Sequence, residues 1–142
     1  MIGSMTMPDD VLAYNRQLIA TFRADGGASL GDRPLLLLTT RGRRSGEPRT
    51  SPIMYVRADG RLFVVASNAG AAEDPQWYRN LLADPAVTVE LPGETFPARA
   101  TPLSGEDYER QWARITGQHA FFIEHQQRAG GRRIPIVELH RA

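Results

Sequence analysis

Leu35-Leu-Leu-Leu-Thr-Thr-Arg-Gly-Arg-Arg-Ser-Gly-Glu-Pro-Arg49 is the stretch whose reading decides the fold. Four leucines bounded by Pro34 and two threonines are too short a run for an ordinary helix, so they predict a buried strand. The strand runs directly into a loop with four arginines and two glycines. Gly42 and Gly46 let the backbone turn tightly and approach a ligand. Arg41, Arg43, Arg44 and Arg49 offer forked donors that match phosphate or carboxylate oxygens. A rigid strand that presents such a loop has the form of an anion-binding site.

On the N-terminal side, Val11, Tyr14, Leu18 and Phe22 recur at helical spacing, widened by Leu12 and Ile19. They predict an amphipathic helix over about residues 9–25, closed by Gly26-Gly27. On the C-terminal side, strands over residues 49–57 and 61–67 pair across the Asp59-Gly60 hairpin turn. Asp74 and Pro75 suit the cap and first position of a short helix reaching Ala83. Strands over residues 87–91 and 95–101 turn at Pro92-Gly93. Ser104 and Asp107 have capping-box spacing ahead of one longer helix to about Gln127. Gly130-Gly131 breaks it, and residues 134–139 supply a last strand.

This order has no strand-helix-strand repeat with a glycine fingerprint, which argues against a doubly wound dinucleotide fold. Antiparallel hairpins rolled into a small barrel with flanking helices fit better, an α+β class. The 142 residues are expected to form a single domain, 1–142.

Composition narrows the chemistry. The 17 basic and 16 acidic residues nearly cancel to +1, so there is no global basic field of the kind a nucleic-acid binder carries. The basic cluster is local to the loop. Every basic residue other than histidine is arginine, which fits a GC-rich codon bias as well as a demand for guanidinium groups. No cysteine is present, which excludes thiolate nucleophiles and cysteine-ligated metals. Residues 1–10 lack a secretory pattern and no run reaches membrane-span length. A cytoplasmic protein is expected, with the N-terminal helix leaving peripheral contact with a membrane open.

Two blocks, Thr40-Arg-Gly-Arg-Arg-Ser-Gly-Glu-Pro-Arg-Thr-Ser-Pro52 and Val65-Ala-Ser-Asn-Ala-Gly-Ala-Ala-Glu-Asp-Pro-Gln-Trp-Tyr-Arg-Asn-Leu81, resemble the deazaflavin-dependent nitroreductase family. Asp84-Pro-Ala-Val87 and Arg133-Ile-Pro-Ile-Val137 follow in that family's order. The resemblance implies a split β-barrel that binds coenzyme F420, an 8-hydroxy-5-deazaflavin with a phosphodiester and a polyglutamate tail, and uses its reduced form as a hydride donor. It implies that Arg43, Arg44, Ser45 and Arg49 hold the phosphate and acidic tail. Thr50, Ser51, Pro52, Ala66, Ser67 and Asn68, with Gln76, Trp77, Tyr78, Arg79 and Asn80, would line the cofactor. Trp77 would wall the ring region and Ser67 would neighbour the reactive ring.

Hydride transfer to an electrophile needs orientation and exclusion of water more than a strong base, which agrees with the absence of an obvious triad, metal cluster or carboxylate pair. The expected acceptor is a small molecule: a quinone, enone or nitro compound. The segment Gln118-His-Ala-Phe-Phe-Ile-Glu-His125 departs from the family, whose best-known members are rich in tyrosine there. His125 could donate a proton to the reduced acceptor. His119 and His125 are six apart, which is unsuited to joint metal ligation on one helix face, and no metal is expected. The alternatives are a split-barrel flavoprotein using FMN and a non-catalytic F420 carrier. The oligomeric state is open between monomer and homodimer.

Overall fold

The computed structural model describes residues 8–30 and 33–142. Six strands are formed: β1 (Leu35–Arg41), β2 (Pro48–Ala58), β3 (Arg61–Val65), β4 (Ala86–Leu91), β5 (Glu94–Pro102) and β6 (Ile136–Arg141). They close a barrel in the order β1-β2-β3-β6-β5-β4, and each neighbouring pair is antiparallel. Four helices accompany it: α1 (Pro8–Asp25), α2 (Gln76–Ala83), α3 (Gly105–Gln118) and α4 (Phe121–Ala129).

The leucine run is continuous because both faces of β1 are covered. Leu36 and Leu38 point into the barrel with Ile53, Val64, Val89 and Val137. Leu37 points outward and is buried under Phe22 and Leu30, with Leu18 and Ile19 of α1 packed alongside. Burying each such leucine is worth about 1.5–3 kcal/mol relative to exposure, so β1 ties the barrel to α1. The side chains of Val11 and Leu12, which the periodicity places on the same stripe, lie outside the described residues. A second cluster covers the outside of β2, β3 and β6, where Val56, Phe63, Val65 and Ile136 meet Tyr108 and Ile115 of α3 and Phe122 and Ala129 of α4.

The Asp59-Gly60 turn forms as expected, with left-handed φ of 54° and 75°. Four local expectations are corrected. The long helix to Gln127 is two helices, because His119 leaves helical geometry at φ −134°, ψ 78°. The break lets residues of both α3 and α4 reach the second cluster. The capping box does not form: Ser104 makes no side-chain cap bond. Asp107 instead accepts from Arg61 at 3.1 and 2.7 Å, a bidentate charged pair stronger than a cap bond. Pro75, not Asp74, stands at the cap of α2, and Asp74 pairs with Arg132 at 2.7 Å. Strand β3 also stops at Val65, so Ala66 and Ser67 begin the following turn. Among the described residues no helix is long and apolar enough to cross a membrane.

Candidate cofactor site

The loop between β1 and β2 is closed by its own backbone. Gly42 N–H donates to the Glu47 carbonyl and Gly46 N–H to the Gly42 carbonyl, both at 2.8 Å. The Ser45 hydroxyl accepts from the Glu47 N–H at 3.1 Å. Gly46 adopts φ +75°, and a Cβ on Gly42 would lie 2.7 Å from Ser45 Oγ. The positive φ makes Gly46 the glycine the turn requires, while a side chain at Gly42 would crowd the Ser45 hydroxyl and the Glu47 carbonyl.

This hairpin divides its arginines between two sides. Arg41 turns away to Asp84 at 3.4 Å and to the Gly46 carbonyl at 3.2 Å, lining a separate cavity of about 420 Å³. Arg43 turns toward α2. Its backbone N–H and one guanidinium N–H both donate to Asn80 Oδ1, at 3.2 and 3.0 Å, and the same guanidinium nitrogen donates to Gln76 Oε1 at 2.7 Å. Asn80, 4% exposed, donates in turn to Thr40 Oγ1 at 3.2 Å. Leu81 is buried in the barrel cluster, with Trp77 and Tyr78 packed against it, which seats α2 on the barrel. The two sequence blocks thus become one rigid unit.

Between them lies a cleft of about 830 Å³. Ten of the residues expected at the cofactor line it: Arg43, Arg44, Ser45, Arg49, Thr50, Ser51, Gln76, Trp77, Arg79 and Asn80. Arg16 of α1, Gly42 and Pro48 line it too. Arg16 was not singled out in the sequence; its seven-residue spacing from Arg23, which places both on one helix face, is the signal that could have found it. Pro52, Ala66, Ser67, Asn68 and Tyr78 are outside these walls. Pro52 pairs with Leu37 in the sheet, and Tyr78 meets Trp77 edge-on at 6.4 Å between centroids.

Among the described residues no aspartate or glutamate lines the cleft. Arg79 reaches Glu73 at 2.9 Å, but among the described residues Arg16, Arg44 and Arg49 have no hydrogen-bond or ion-pair partner. Guanidinium groups that converge on a concave surface without carboxylates are suited to a multiply anionic ligand.

Ser67 and Asn68 belong to a second constellation. Asn68, Ala69 and Gly70 all take left-handed φ, 49°, 54° and 83°. Such a turn is costly for non-glycine residues and persists only when its surroundings over-determine it. Arg132 does so: its guanidinium donates to the carbonyls of Ala66, Ser67 and Ala71 and to Asp74, at 2.7–3.1 Å. Gly70 is pressed onto α4, where a Cβ would come 2.9 Å from the His125 carbonyl oxygen. The His125 ring lies against Phe121 and Phe122, with Nδ1 buried and without a partner. Burial first, then the nearby Arg128 charge, holds its pKa below the ordinary imidazole value, against a weaker opposite pull from Glu124. Neither Ser67 nor His125 lines the basic cleft, and the turn after Ser67 meets α4 through Gly70 at the His125 backbone. Among the described residues no group of three or more metal-ligating side chains occurs.

A small antiparallel barrel with a basic cleft that no described carboxylate lines defines the class: a barrel protein with a cleft suited to an anionic ligand. The chain belongs to the F420H(2)-dependent quinone reductase family, whose model matches residues 14–140. It is 34% identical over 113 residues to F420H(2)-dependent quinone reductase Rv1261c of Mycobacterium tuberculosis, covering 78% of this chain and 76% of that protein. The fold is similar to the F420-H2 dependent reductase FDR-A, with a TM-score of 0.67 and 34% identity, covering 76% of this chain and 95% of that one. It is similar also to a domain-swapped dimer, with a TM-score of 0.70, 31% identity and coverage of 94% and 100%. The chain is thus an oxidoreductase whose cofactor is coenzyme F420, which decides against the FMN alternative.

Proposed function

We propose that the cleft between the β1–β2 loop, β2 and α2 holds the phosphodiester and acidic tail of F420, and that the chain reduces a quinone, with enones and nitro compounds as further acceptors. The observation that supports the reading is the set of guanidiniums, Arg44 and Arg49 among them, that have no partner among the described residues, in a cleft that no described carboxylate lines. When bound, reduced F420 supplies a hydride equivalent to an electrophilic acceptor. Arg43, fixed to α2 through Asn80 and Gln76, sets the spacing between the loop and the helix. Thr50, Ser51 and Trp77 continue the cleft from the loop along the barrel and exclude water.

On the family pattern, Ala66, Ser67 and Asn68 face the ring, with Pro52 and Tyr78 behind the lining. Ser67 there is a hydrogen-bonding neighbour of the reacting end. His125 is neutral near neutral pH, so it can relay a proton from solvent to the reduced acceptor but does not hold one ready.

The test is a fluorescence titration with F420, with FMN as control, followed by oxidation of the reduced cofactor with menadione, cyclohexenone and a nitroimidazole at the deazaflavin absorbance band. Menadione is expected to be reduced fastest. Tight F420 binding with no oxidation by any acceptor would leave a carrier rather than a reductase. A single-domain, cytoplasmic protein is the setting we propose. The domain-swapped relative supports a homodimer, which light scattering of the purified chain would test.

A further inference from the structure

Arg16 is set apart from the other cleft residues because it comes from α1. The described contacts of that helix lie toward its C-terminal end. Phe22, Leu18 and Ile19 pack over Leu37, while Arg23 holds Glu90 at 3.0 and 2.8 Å and reaches Thr50 Oγ1 at 3.4 Å. Toward the N-terminus, no residue from 13 to 17 is buried. Arg16 lies two turns before Arg23 on the same face, lines the cleft and has no partner among the described residues. A cation held over a cleft that no described carboxylate lines, by a segment with no buried residue from 13 to 17, gains its counterion when a ligand arrives.

We propose that α1 is a mobile fourth wall of the cofactor cleft: Arg16 binds the outer anionic groups of the bound tail, and an oligoanionic ligand thereby pins residues 13–17 to the barrel. This rests on the reading of the cleft given under Proposed function. The ligand class is a phosphodiester extended by carboxylates, because one loop already supplies Arg43, Arg44 and Arg49 and a single phosphate would not need a donor from a separate element.

The experiment compares wild type, Arg16→Ala, Arg16→Gln and Arg44→Ala in fluorescence titrations with F420 and with its riboflavin-level analogue, which lacks the phosphodiester and glutamates. Arg16→Ala and Arg16→Gln are expected to weaken F420 binding about three- to tenfold, since the group is exposed. Neither should move the analogue, and the deficit should shrink at high salt. Amide exchange over residues 13–17 should slow when F420 binds wild type and not when it binds Arg16→Ala. Unchanged F420 affinity in both Arg16 variants, with Arg44→Ala impaired, overturns this inference alone. Wild type that binds F420 no better than the analogue overturns the reading of the cleft, and this inference with it.

Discussion

The arginines of the cleft and those of the barrel wall use the same side chain for opposite purposes. On the wall, Arg61 is saturated: it meets Asp107 and Glu138, both at 2.7 Å, and lies over the Phe63 ring. These partners raise its pKa further above the ordinary guanidinium range, and the Asp107 pKa is lowered chiefly by the bond to Arg61. Arg132, with its side chain 11% exposed, is saturated too, by three carbonyls and Asp74. In the cleft, Arg16, Arg44 and Arg49 are without acceptors among the described residues. A saturated guanidinium stabilises the fold and is unavailable to a ligand; an unsaturated one adds little to the fold and is available for binding. The difference lies in where the carboxylates are, not in the arginines.

The comparison breaks most visibly at Arg132. Arg132→Ala leaves buried carbonyls and Asp74 without their donor and is expected to cost about 2–4 kcal/mol of stability, read by urea unfolding. Arg132→Lys restores the Asp74 pair but cannot fork to three carbonyls, so it should recover only part of the loss.

In the cleft the pattern inverts. Arg44→Ala or Arg49→Ala should weaken F420 binding by about 1–3 kcal/mol while leaving the unfolding midpoint in place. Affinity unchanged by both substitutions would remove the loop from the site.

A smaller effect lies at His125, whose pKa is lowered in the folded state by burial. The unfolded imidazole takes up its proton first as pH falls, so the stability tied to this group is full above about 6.5 and is lost as pH drops through the lower folded value. His125→Phe, in a site already walled by Phe121 and Phe122, should flatten unfolding free energy against pH across that window. Smallest of all is the exposed pair Arg114–Asp59, 2.7 Å apart, where Arg114→Ala should change stability by under about 1 kcal/mol in the same unfolding assay.

What was legible in the sequence follows from how local each cause is. The leucine strand, the Asp59-Gly60 hairpin and the α1 stripe are short-range patterns, and they appear in the fold within a residue or two of their expected ends. The arginine loop was legible as one wall of a cleft because its glycines and guanidiniums are adjacent in the chain, and the anion site we propose there builds on that. What escaped depends on distant partners. Asp107 leaves its capping role for Arg61, and Asp74 leaves its own for Arg132, in each case because a remote guanidinium outbids the local backbone. The break at His119 follows Gly117 by two residues, a local signal that the helical pattern passed over, and beyond it Phe122 and Ala129 are buried on the barrel. Arg41 looked equivalent to its neighbours in the loop, yet Asp84 draws it to the other side.

The position of β6 bears on how the barrel is made. Strands β1 to β3 can assemble from successive segments, and β4 and β5 form a hairpin, but only β6 joins the two groups along their other edge, with Phe63 and Thr101 both opposite Glu138. Ring closure must therefore wait for residues 136–141 to return after the α3–α4 excursion. Non-local pairing of this kind slows folding, so the rate-determining event is expected at this seam. The bond from Arg61 to Glu138 crosses that seam and cannot form before residues 136–141 have returned.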